Sequence, residues 1–235
     1  MYSKSAQFYD ELYHFKDYRK ASEGVISEIR SLAPAARTLL DVACGTGLHL
    51  QELSKTFAVE GLDINPDFVE AARKRVPDAP IHLGDMTEFY LGKTFDAVTI
   101  LFSSQAYVKT KENLRKTVAC LARHLADGGV VIMEPWFSAE TFWTGTITVN
   151  VVDKKDLKIV WMYTSERVGD LAVLDIHYMV GRPGGIEQFR EVHELGLFGV
   201  EDYRDAFEHA GLDFSHSEGG PFGRGVYRAW RGRRS

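Results

Sequence analysis

The sequence predicts an α/β fold with a doubly wound parallel sheet and an antiparallel sheet inserted after its fifth strand. Three observations support this fold class. An apolar run at 38–42 is followed by the turn Gly45-Thr46-Gly47 and then by a helix pattern from Leu48. Strand and helix patterns alternate from there to Pro135, as expected for parallel strands joined by crossover helices. Between 137 and 198 the pattern changes to strand-like runs separated by polar or glycine turns.

The sequence of the first two strands and their following turns predicts a ligand-binding edge of the sheet. The apolar run at 38–42 suits a buried parallel strand. Gly45 and Gly47 allow the backbone to approach a ligand without intervening Cβ atoms. The second strand, 57–62, is followed by Asp63. Because a carboxylate at the C-terminal end of this strand can accept hydrogen bonds from both ribose hydroxyls, a nucleotide-type ligand is predicted.

The glycine turn departs from the dinucleotide-binding fingerprint. That fingerprint requires a third glycine for close helix packing, and this chain has Leu50 at the corresponding position. Asp41 stands just before the turn, where its charge could hold the ammonium or sulfonium group of S-adenosylmethionine. These residues favour an enzyme that uses S-adenosylmethionine over a nicotinamide-dependent oxidoreductase.

The next strands extend the same pattern. A short strand at 81–83 is followed by Gly84 and Asp85, whose carboxylate could accept a hydrogen bond from an adenine amino group. An apolar run at 95–102 predicts the fourth strand. The run 124–135 predicts a helix end, a glycine C-cap and a buried fifth strand.

The segment before the first strand predicts a lid. It contains many aromatic residues, followed by a helix with apolar residues at helical spacing. A lid over a cofactor needs rings that exclude water and hydroxyls that meet a carboxylate, and Tyr13 and Tyr18 could supply both. For Tyr9 the alternative is a tyrosine-rich helix that only packs on the edge of the sheet.

The last hundred residues predict an antiparallel insertion and a return to the parallel sheet. The insertion would be a substrate cover or a dimer surface, and its four strands are expected at 147–152, 158–168, 173–180 and 188–197. A helix at 201–210 and two strands, near Phe214 and through Trp230, would complete the core sheet. The expected units are a lid and cofactor-binding core at 1–136, the insertion at 137–198 and the completion of the core at 199–235.

Length and composition indicate one enzyme domain. The chain has 235 residues, 45% of them hydrophobic, and a net charge of −5, which makes nucleic acid an unfavourable substrate. Cys44 and Cys120 lack partners at disulfide or metal-ligand spacing, and no apolar run reaches the length of a membrane helix. We therefore expect a cytoplasmic protein without a bound metal. The C-terminal arginines are expected to form a solvated tail: Arg228, Arg231, Arg233 and Arg234.

The ordered series of motifs between 36 and 135 resembles the class I S-adenosylmethionine-dependent methyltransferases, whose core is a Rossmann-like sheet of seven strands. This resemblance implies S-adenosylmethionine as the cofactor. It assigns the methionine part to Ala43, Gly45 and Gly47, and the ribose to Asp63. It assigns the adenine to Asp85 and Met86 and the pocket wall to Phe102, and Ile64 is a further expected cofactor contact.

A narrower resemblance covers nearly the whole chain. It rests on 39–47, Phe102-Ser-Ser104 with Tyr107, Glu134-Pro-Trp136, Glu140-Thr-Phe142, His177-Tyr178, Val192-His193, Leu197-Phe198 and 219–225. These motifs resemble the TDP-3-amino-sugar N,N-dimethyltransferases that make dimethylamino sugars for macrolide antibiotics. The resemblance implies a nucleotide-linked amino sugar as the substrate, bound by Ser104, Tyr107, Trp136 and Arg224, with the Arg224 guanidinium at the diphosphate.

Three departures from the family pattern concern the substrate and the cofactor carboxylate. Phe137 replaces the second residue of a tandem tryptophan, and Phe222 replaces a serine before the Gly-Arg pair. The N-terminal segment is shortened between Tyr13 and Lys16, and an arginine often found there has no match. Tyr13, Lys16 and Tyr18 are therefore the candidates for contact with the methionine part of the cofactor.

The expected reaction is an in-line displacement by a neutral amine, in which positioning can supply about 7–11 kcal/mol. Candidate proton acceptors are His177, His193 and Glu134, although a strong base is not required.

Two alternative functions would use the same cofactor-binding residues. One is a methyltransferase that acts on another small amine or on a hydroxyl, and the other is a non-catalytic S-adenosylmethionine-binding protein. A homodimer is possible.

Overall fold

The computed structural model describes residues 2–232, which form two sheets and six α-helices. The helices are α1 (Tyr9–Leu12), α2 (Tyr18–Leu32), α3 (Leu48–Leu53), α4 (Pro66–Arg75), α5 (Lys111–Arg123) and α6 (Val200–His209). The strands are β1 (Thr38–Val42), β2 (Ala58–Asp63), β3 (Ile81–Leu83), β4 (Phe95–Ile100), β5 (Leu125–Met133), β6 (Ile147–Lys154), β7 (Leu157–Val168), β8 (Leu171–Arg182), β9 (Gly185–Gly196), β10 (Asp213–Ser217) and β11 (Val226–Trp230). Short 3₁₀ helices cover Lys4–Phe8 and Ser104–Val108.

The core sheet has seven strands in the order β10-β11-β5-β4-β1-β2-β3. Strands β1 to β5 are parallel, and β10 and β11 join antiparallel at one edge. The predicted doubly wound seven-stranded sheet is therefore confirmed. The strand order reverses between β1 and β4, which opens a crevice at their carboxyl ends, the usual ligand site of such sheets.

Both faces of the core sheet are covered because alternate side chains of its central strands point to opposite faces. In β1, Leu40 packs in a cluster with residues of α5 and α6, whereas Leu39 packs in a cluster with residues of α2, α3 and α4. Both leucines are fully buried. This two-sided burial explains why adjacent residues of the run at 38–42 are apolar.

The inserted sheet is a meander of four antiparallel strands in the order β6-β7-β8-β9. Its inner face packs against the N-terminal segment through buried residues that include Phe8, Leu12, Trp161 and Ile176. This packing places the insertion beside the carboxyl ends of the core strands. The outer face carries exposed apolar side chains, including Ile147, Val149, Val151, Met162 and Met179.

The predicted glycine C-cap before the fifth strand is wrong. Helix α5 ends at Arg123 with His124 as its C-cap, and Gly128 lies inside β5 with a φ of 75°. Strand β5 begins early because Leu125 pairs with Phe95, and the register with β4 then shifts before Ala97 pairs with Val130. The extra residues of this irregularity need a glycine in the left-handed region.

The prediction of a solvated C-terminal tail is wrong for its first two arginines. Arg228 forms a partly buried ion pair with Glu28 of α2, at 2.6 Å from Nε to Oε2. Arg231 donates to the carbonyl oxygen of Ala122. Both side chains reach neighbouring elements because β11 lies within the core sheet, between β10 and β5. Arg233 and Arg234 lie outside the described residues.

Candidate active site

Three residues in the turn after β1 have left-handed backbone conformations, which keep the turn open toward the crevice. Ala43, Gly45 and Gly47 have φ values of 58°, 56° and 83°. The backbone N–H of Gly45 donates to Oδ2 of Asp63 at 2.8 Å, which ties the turn to the end of β2. Gly47 lines none of the cavities described below, and a Cβ on it would lie 3.2 Å from Ala72. Gly47 therefore serves the packing of α3 on α4.

Asp63 is buried at the C-terminal end of β2, where the sequence predicts the ribose carboxylate. Its Oδ1 accepts a hydrogen bond from the backbone N–H of Asn65 at 2.8 Å. Burial raises the pKa of this carboxyl group, and the backbone N–H donors partly offset the rise. The carboxylate thus organises the glycine turn and still faces a cavity.

That cavity, here called the strand-end cavity, has a volume of about 280 Å³. Five predicted cofactor residues line it: Ala43, Asp63, Ile64, Asp85 and Met86. Thr87, Val108 and Asn113 line it as well and were not predicted, because no recognisable motif marks them and the last two lie on helical segments. Oδ1 of Asp85 accepts hydrogen bonds from the backbone N–H and the hydroxyl of Thr87, both at 2.8 Å, which orients the carboxylate.

A second space, the turn cavity, lies between the glycine turn and the N-terminal segment and measures only about 20 Å³. Tyr9, Tyr18, Asp41 and Phe102 line it together with Ser104. Ser104 was predicted to contact the substrate, but its position is on the cofactor side of the crevice. Its hydroxyl donates to the carbonyl oxygen of Leu101 at 2.9 Å.

Asp41 lies at the base of the turn cavity, fully buried within β1. Its Oδ1 accepts a hydrogen bond from the Thr99 hydroxyl at 2.7 Å. Burial raises the pKa of Asp41 to about 7, against the lowering effect of this hydrogen bond. A nearby cation would favour the ionised form, which fits the predicted contact with the ammonium or sulfonium group of the cofactor.

The N-terminal segment brings Tyr13, Lys16 and Tyr18 to the same crevice. Lys16 Nζ and the Tyr18 hydroxyl are buried and have no hydrogen-bond partner among residues 2–232. Burial lowers the pKa of Lys16, and Glu134 opposes that shift. Buried donors without acceptors are costly unless a ligand supplies the acceptor. A methionine carboxylate would satisfy them, so these residues fit the expected cofactor.

The aromatic cavity lies between the crevice and the inner face of the inserted sheet, and its volume is about 320 Å³. Tyr13, Phe102, Tyr107, Trp136 and Arg224 line it, as do four residues that were not predicted: Trp143, Asn150, Trp161 and Tyr163. Trp161 and Tyr163 alternate along β7, so the strand pattern was a signal that they share one face. Tyr107 borders both the aromatic and the strand-end cavities.

Glu134 is a buried clamp that binds Phe102, a residue shared by the aromatic and turn cavities. Its Oε2 accepts the backbone N–H of Phe102 at 2.7 Å and lies 3.8 Å from Lys16 Nζ, and its Oε1 accepts a hydrogen bond from Arg224 at 3.0 Å. Phe102 and the next residue, Ser103, both have positive φ values although neither is glycine. Such backbone persists only where surrounding contacts hold it. Glu134 therefore holds Phe102, which walls both the aromatic and the turn cavities.

The two candidate histidines lie on opposite faces of the inserted sheet. His193 is buried, lines the aromatic cavity and has its Nδ1 2.7 Å from the Tyr107 hydroxyl. His177 lies on the outer face beside Asp175, and 65% of its side chain is exposed. It does not reach the cavity because Ile176 and Tyr178, its neighbours in β8, occupy the inner face. The structure thus removes His177 from the candidate proton acceptors.

Within residues 2–232, no group of three or more His, Cys, Asp or Glu side chains is arranged to hold a metal ion. Cys44 and Cys120 are buried free thiols. Across the same residues, every helix is too short or too polar to span a membrane.

The seven-stranded sheet and the site at its carboxyl edge define a class I S-adenosylmethionine-dependent methyltransferase. A family model described as a methyltransferase domain matches residues 39–129. The cofactor is S-adenosylmethionine.

Comparisons over the whole chain narrow this class. The chain is 42% identical to the dTDP-3-amino-3,4,6-trideoxy-alpha-D-glucopyranose N,N-dimethyltransferase of Streptomyces venezuelae, over 94% of this chain and 95% of that protein. It is 38% identical to the dTDP-3-amino-3,6-dideoxy-alpha-D-glucopyranose N,N-dimethyltransferase of Streptomyces fradiae, over 94% and 89%. The crystal structure of Streptomyces venezuelae DesVI matches with 41% identity and a TM-score of 0.92, covering 98% of this chain and 100% of that one. The chain therefore belongs to the family of TDP-amino-sugar N,N-dimethyltransferases.

Proposed function

We propose that this enzyme methylates the amino group of a nucleotide-linked amino sugar. The observation that carries the proposal is the aromatic cavity, which meets the cofactor crevice at Tyr107 and has Arg224 among its lining residues. Aromatic rings suit the faces of a sugar and a pyrimidine base, and a guanidinium suits a diphosphate. The two relatives described above act on dTDP-linked amino sugars, as their names state.

Arg224 has donors available for a phosphate. One of its terminal nitrogens binds Glu134, and the guanidinium carbon lies 5.4 Å from the ring centre of Trp136 and 5.3 Å from that of Phe137. Its Nε is buried and has no hydrogen-bond partner among residues 2–232. The phenylalanine at 137, a departure from the family's tandem tryptophan, thus still places a ring within cation–π distance of the guanidinium. We propose that Nε and the second terminal nitrogen meet the diphosphate.

S-adenosylmethionine supplies an electrophilic methyl group, and the protein's own task is to present a neutral amine in line with it. Tyr107 stands where the two cavities meet, so its oxygen can accept a hydrogen bond from the amine and turn the lone pair toward the cofactor. The buried aromatic walls exclude water and favour the uncharged amine, because desolvation lowers the pKa of an ammonium group. With His177 removed, His193 and Glu134 remain candidates for removal of the proton after transfer, and His193, bonded to Tyr107, is the one that lines the aromatic cavity.

Mass spectrometry tests this function directly. With S-adenosylmethionine and a dTDP-3-amino sugar, we expect a product heavier by two methyl groups. Arg224→Ala should raise KM for the nucleotide sugar about 10- to 100-fold through loss of charge-assisted hydrogen bonds, and should leave cofactor affinity within about threefold. Arg204→Ala is the matched control, because Arg204 lies on the surface of α6 and pairs with Glu201.

Other results would point to the alternatives. If the nucleotide sugar is unchanged while another amine or a hydroxyl compound is methylated, the enzyme keeps its class and Arg224 loses its proposed partner. Firm cofactor binding without turnover of any acceptor would indicate a non-catalytic binding protein.

We also propose that the outer face of the inserted sheet pairs with a second copy of the chain. The apolar residues Val149, Val151, Met162 and Met179 are neighbours across β6, β7 and β8, and Asp175 and Arg190 flank them with both signs of charge. Such a face can complement itself about a two-fold axis. Sedimentation velocity should show a dimer that Met162→Lys converts to monomer. A monomeric wild-type protein at micromolar concentration would contradict this.

A further inference from the structure

Glu191 is a buried carboxylate on the inner face of β9, and it binds the start of the chain. Oε1 accepts hydrogen bonds from the backbone N–H of Ser3 at 3.1 Å, the Ser3 hydroxyl at 2.7 Å and the backbone N–H of Ser5 at 3.0 Å. Oε2 accepts a hydrogen bond from the Ser5 hydroxyl at 2.5 Å. Burial alone would raise the pKa of Glu191, but these donors and His193 hold it below its ordinary value. The carboxylate of Glu191 is therefore ionised when the N-terminal segment is bound to it.

The residues that follow Ser5 cover the cofactor crevice. Tyr9 and Tyr18 line the turn cavity, whose volume of about 20 Å³ is too small for the methionine part of a cofactor. Ligand entry therefore requires the segment to move away from the glycine turn. On the side of the core sheet, Asp10 anchors the N-terminal segment. It accepts a hydrogen bond from the Thr46 hydroxyl at 2.6 Å and pairs with Arg75. Glu191 is the anchor on the side of the inserted sheet.

The same carboxylate also faces the substrate side. His193 follows Glu191 by two residues on the same face of β9, and its Nε2 lies 3.4 Å from Oε2 of Glu191. A carboxylate partner favours the proton on Nε2, which leaves Nδ1 as the acceptor for the Tyr107 hydroxyl. In that arrangement the Tyr107 oxygen keeps lone pairs that can accept a hydrogen bond from the amine, at the border of the two cavities.

We infer that Glu191 is a positioning residue that latches the N-terminal segment over the cofactor and, through His193, orients Tyr107 toward the substrate. One carboxylate thus links closure of the lid to the geometry of the acceptor site. The substrate half of this inference rests on the proposed function. The lid half depends only on cofactor binding.

Glu191→Gln, Ser5→Ala and the control Glu187→Gln separate the two halves. Glu187 lies on the same strand but is exposed to solvent. For the lid we would measure hydrogen exchange of residues 3–13 with S-adenosylhomocysteine bound, and the Kd of that ligand. Glu191→Gln should speed exchange and weaken binding by about tenfold each, because a neutral amide cannot accept four hydrogen bonds as the carboxylate does. Ser5→Ala should give a smaller change in the same direction.

For the substrate half we would compare kcat with both substrates saturating. Glu191→Gln should lower kcat about tenfold, whereas Ser5→Ala, which leaves the Glu191–His193 contact intact, should stay within about twofold of the wild type. Glu187→Gln should match the wild type in every measurement.

Wild-type exchange and binding in Glu191→Gln would overturn the latch. Equal kcat in Glu191→Gln and Ser5→Ala would overturn the link to Tyr107. If Glu191→Gln does not fold, Ser5→Ala decides the latch, since unchanged exchange there refutes it. Lack of wild-type turnover would refute the proposed function alone, because the exchange and binding measurements need no acceptor.

Discussion

Asp63→Ala is expected to weaken the binding of S-adenosylmethionine at least a hundredfold. The carboxylate accepts the backbone N–H groups of Gly45 and Asn65 and faces the strand-end cavity, where it is predicted to accept two ribose hydroxyls. Hydrogen bonds to a charged group contribute about 1.5–3 kcal/mol each, and every 1.4 kcal/mol is about tenfold in affinity. Isothermal titration calorimetry measures the effect.

Asp78→Ala is the matched control because Asp78 is exposed in the loop between α4 and β3. It should bind the cofactor like the wild type. Thermal melts show whether Asp63→Ala remains folded, since loss of the Gly45 contact also loosens the turn. A folded Asp63→Ala protein with nearly unchanged affinity would contradict the placement of the cofactor in this crevice.

Glu134→Ala is expected to lower the free energy of unfolding by about 3 kcal/mol and to lower Tm by about 6–12 °C. The variant leaves Lys16 and Arg224 without their shared carboxylate partner in a largely buried site. It also removes the acceptor for the backbone N–H of Phe102, which has a φ of 55°. Differential scanning calorimetry measures Tm, and urea titration measures the free energy.

Glu140→Ala is the control, because Glu140 is an exposed residue a few positions further along the chain. It should change stability by less than about 0.5 kcal/mol. Glu134→Gln distinguishes a structural clamp from a proton acceptor. A clamp predicts a lower Tm and weaker cofactor binding, whereas full stability with a large loss of kcat would identify Glu134 as the base.

The parts of the site that the sequence predicted best lie close to strand ends. Asp63 and Asp85 follow parallel strands, whose carboxyl ends meet at one edge of the sheet, so their place in the strand-end cavity followed from spacing alone. Gly47 was assigned to the right turn, but its contact with Ala72 depends on how α4 packs. His177 shows a second limit of prediction from sequence. A shift of one position along a strand moves a side chain from the cavity face to the solvent face.

The sequence by itself determined the class of enzyme, because hydrophobic periodicity and the spacing of turns and acids are local properties of the chain. Only the tertiary structure decided which polar and charged side chains from distant parts of the chain lie in contact. Lys16, Glu134 and Arg224 meet across 208 positions of the chain, and Ser5 meets Glu191 across 186. No local pattern encodes such contacts, since they arise when the lid, the core sheet and the inserted sheet pack together. The same packing leaves Lys16 Nζ buried without a hydrogen-bond partner within residues 2–232, and the cofactor carboxylate is expected there.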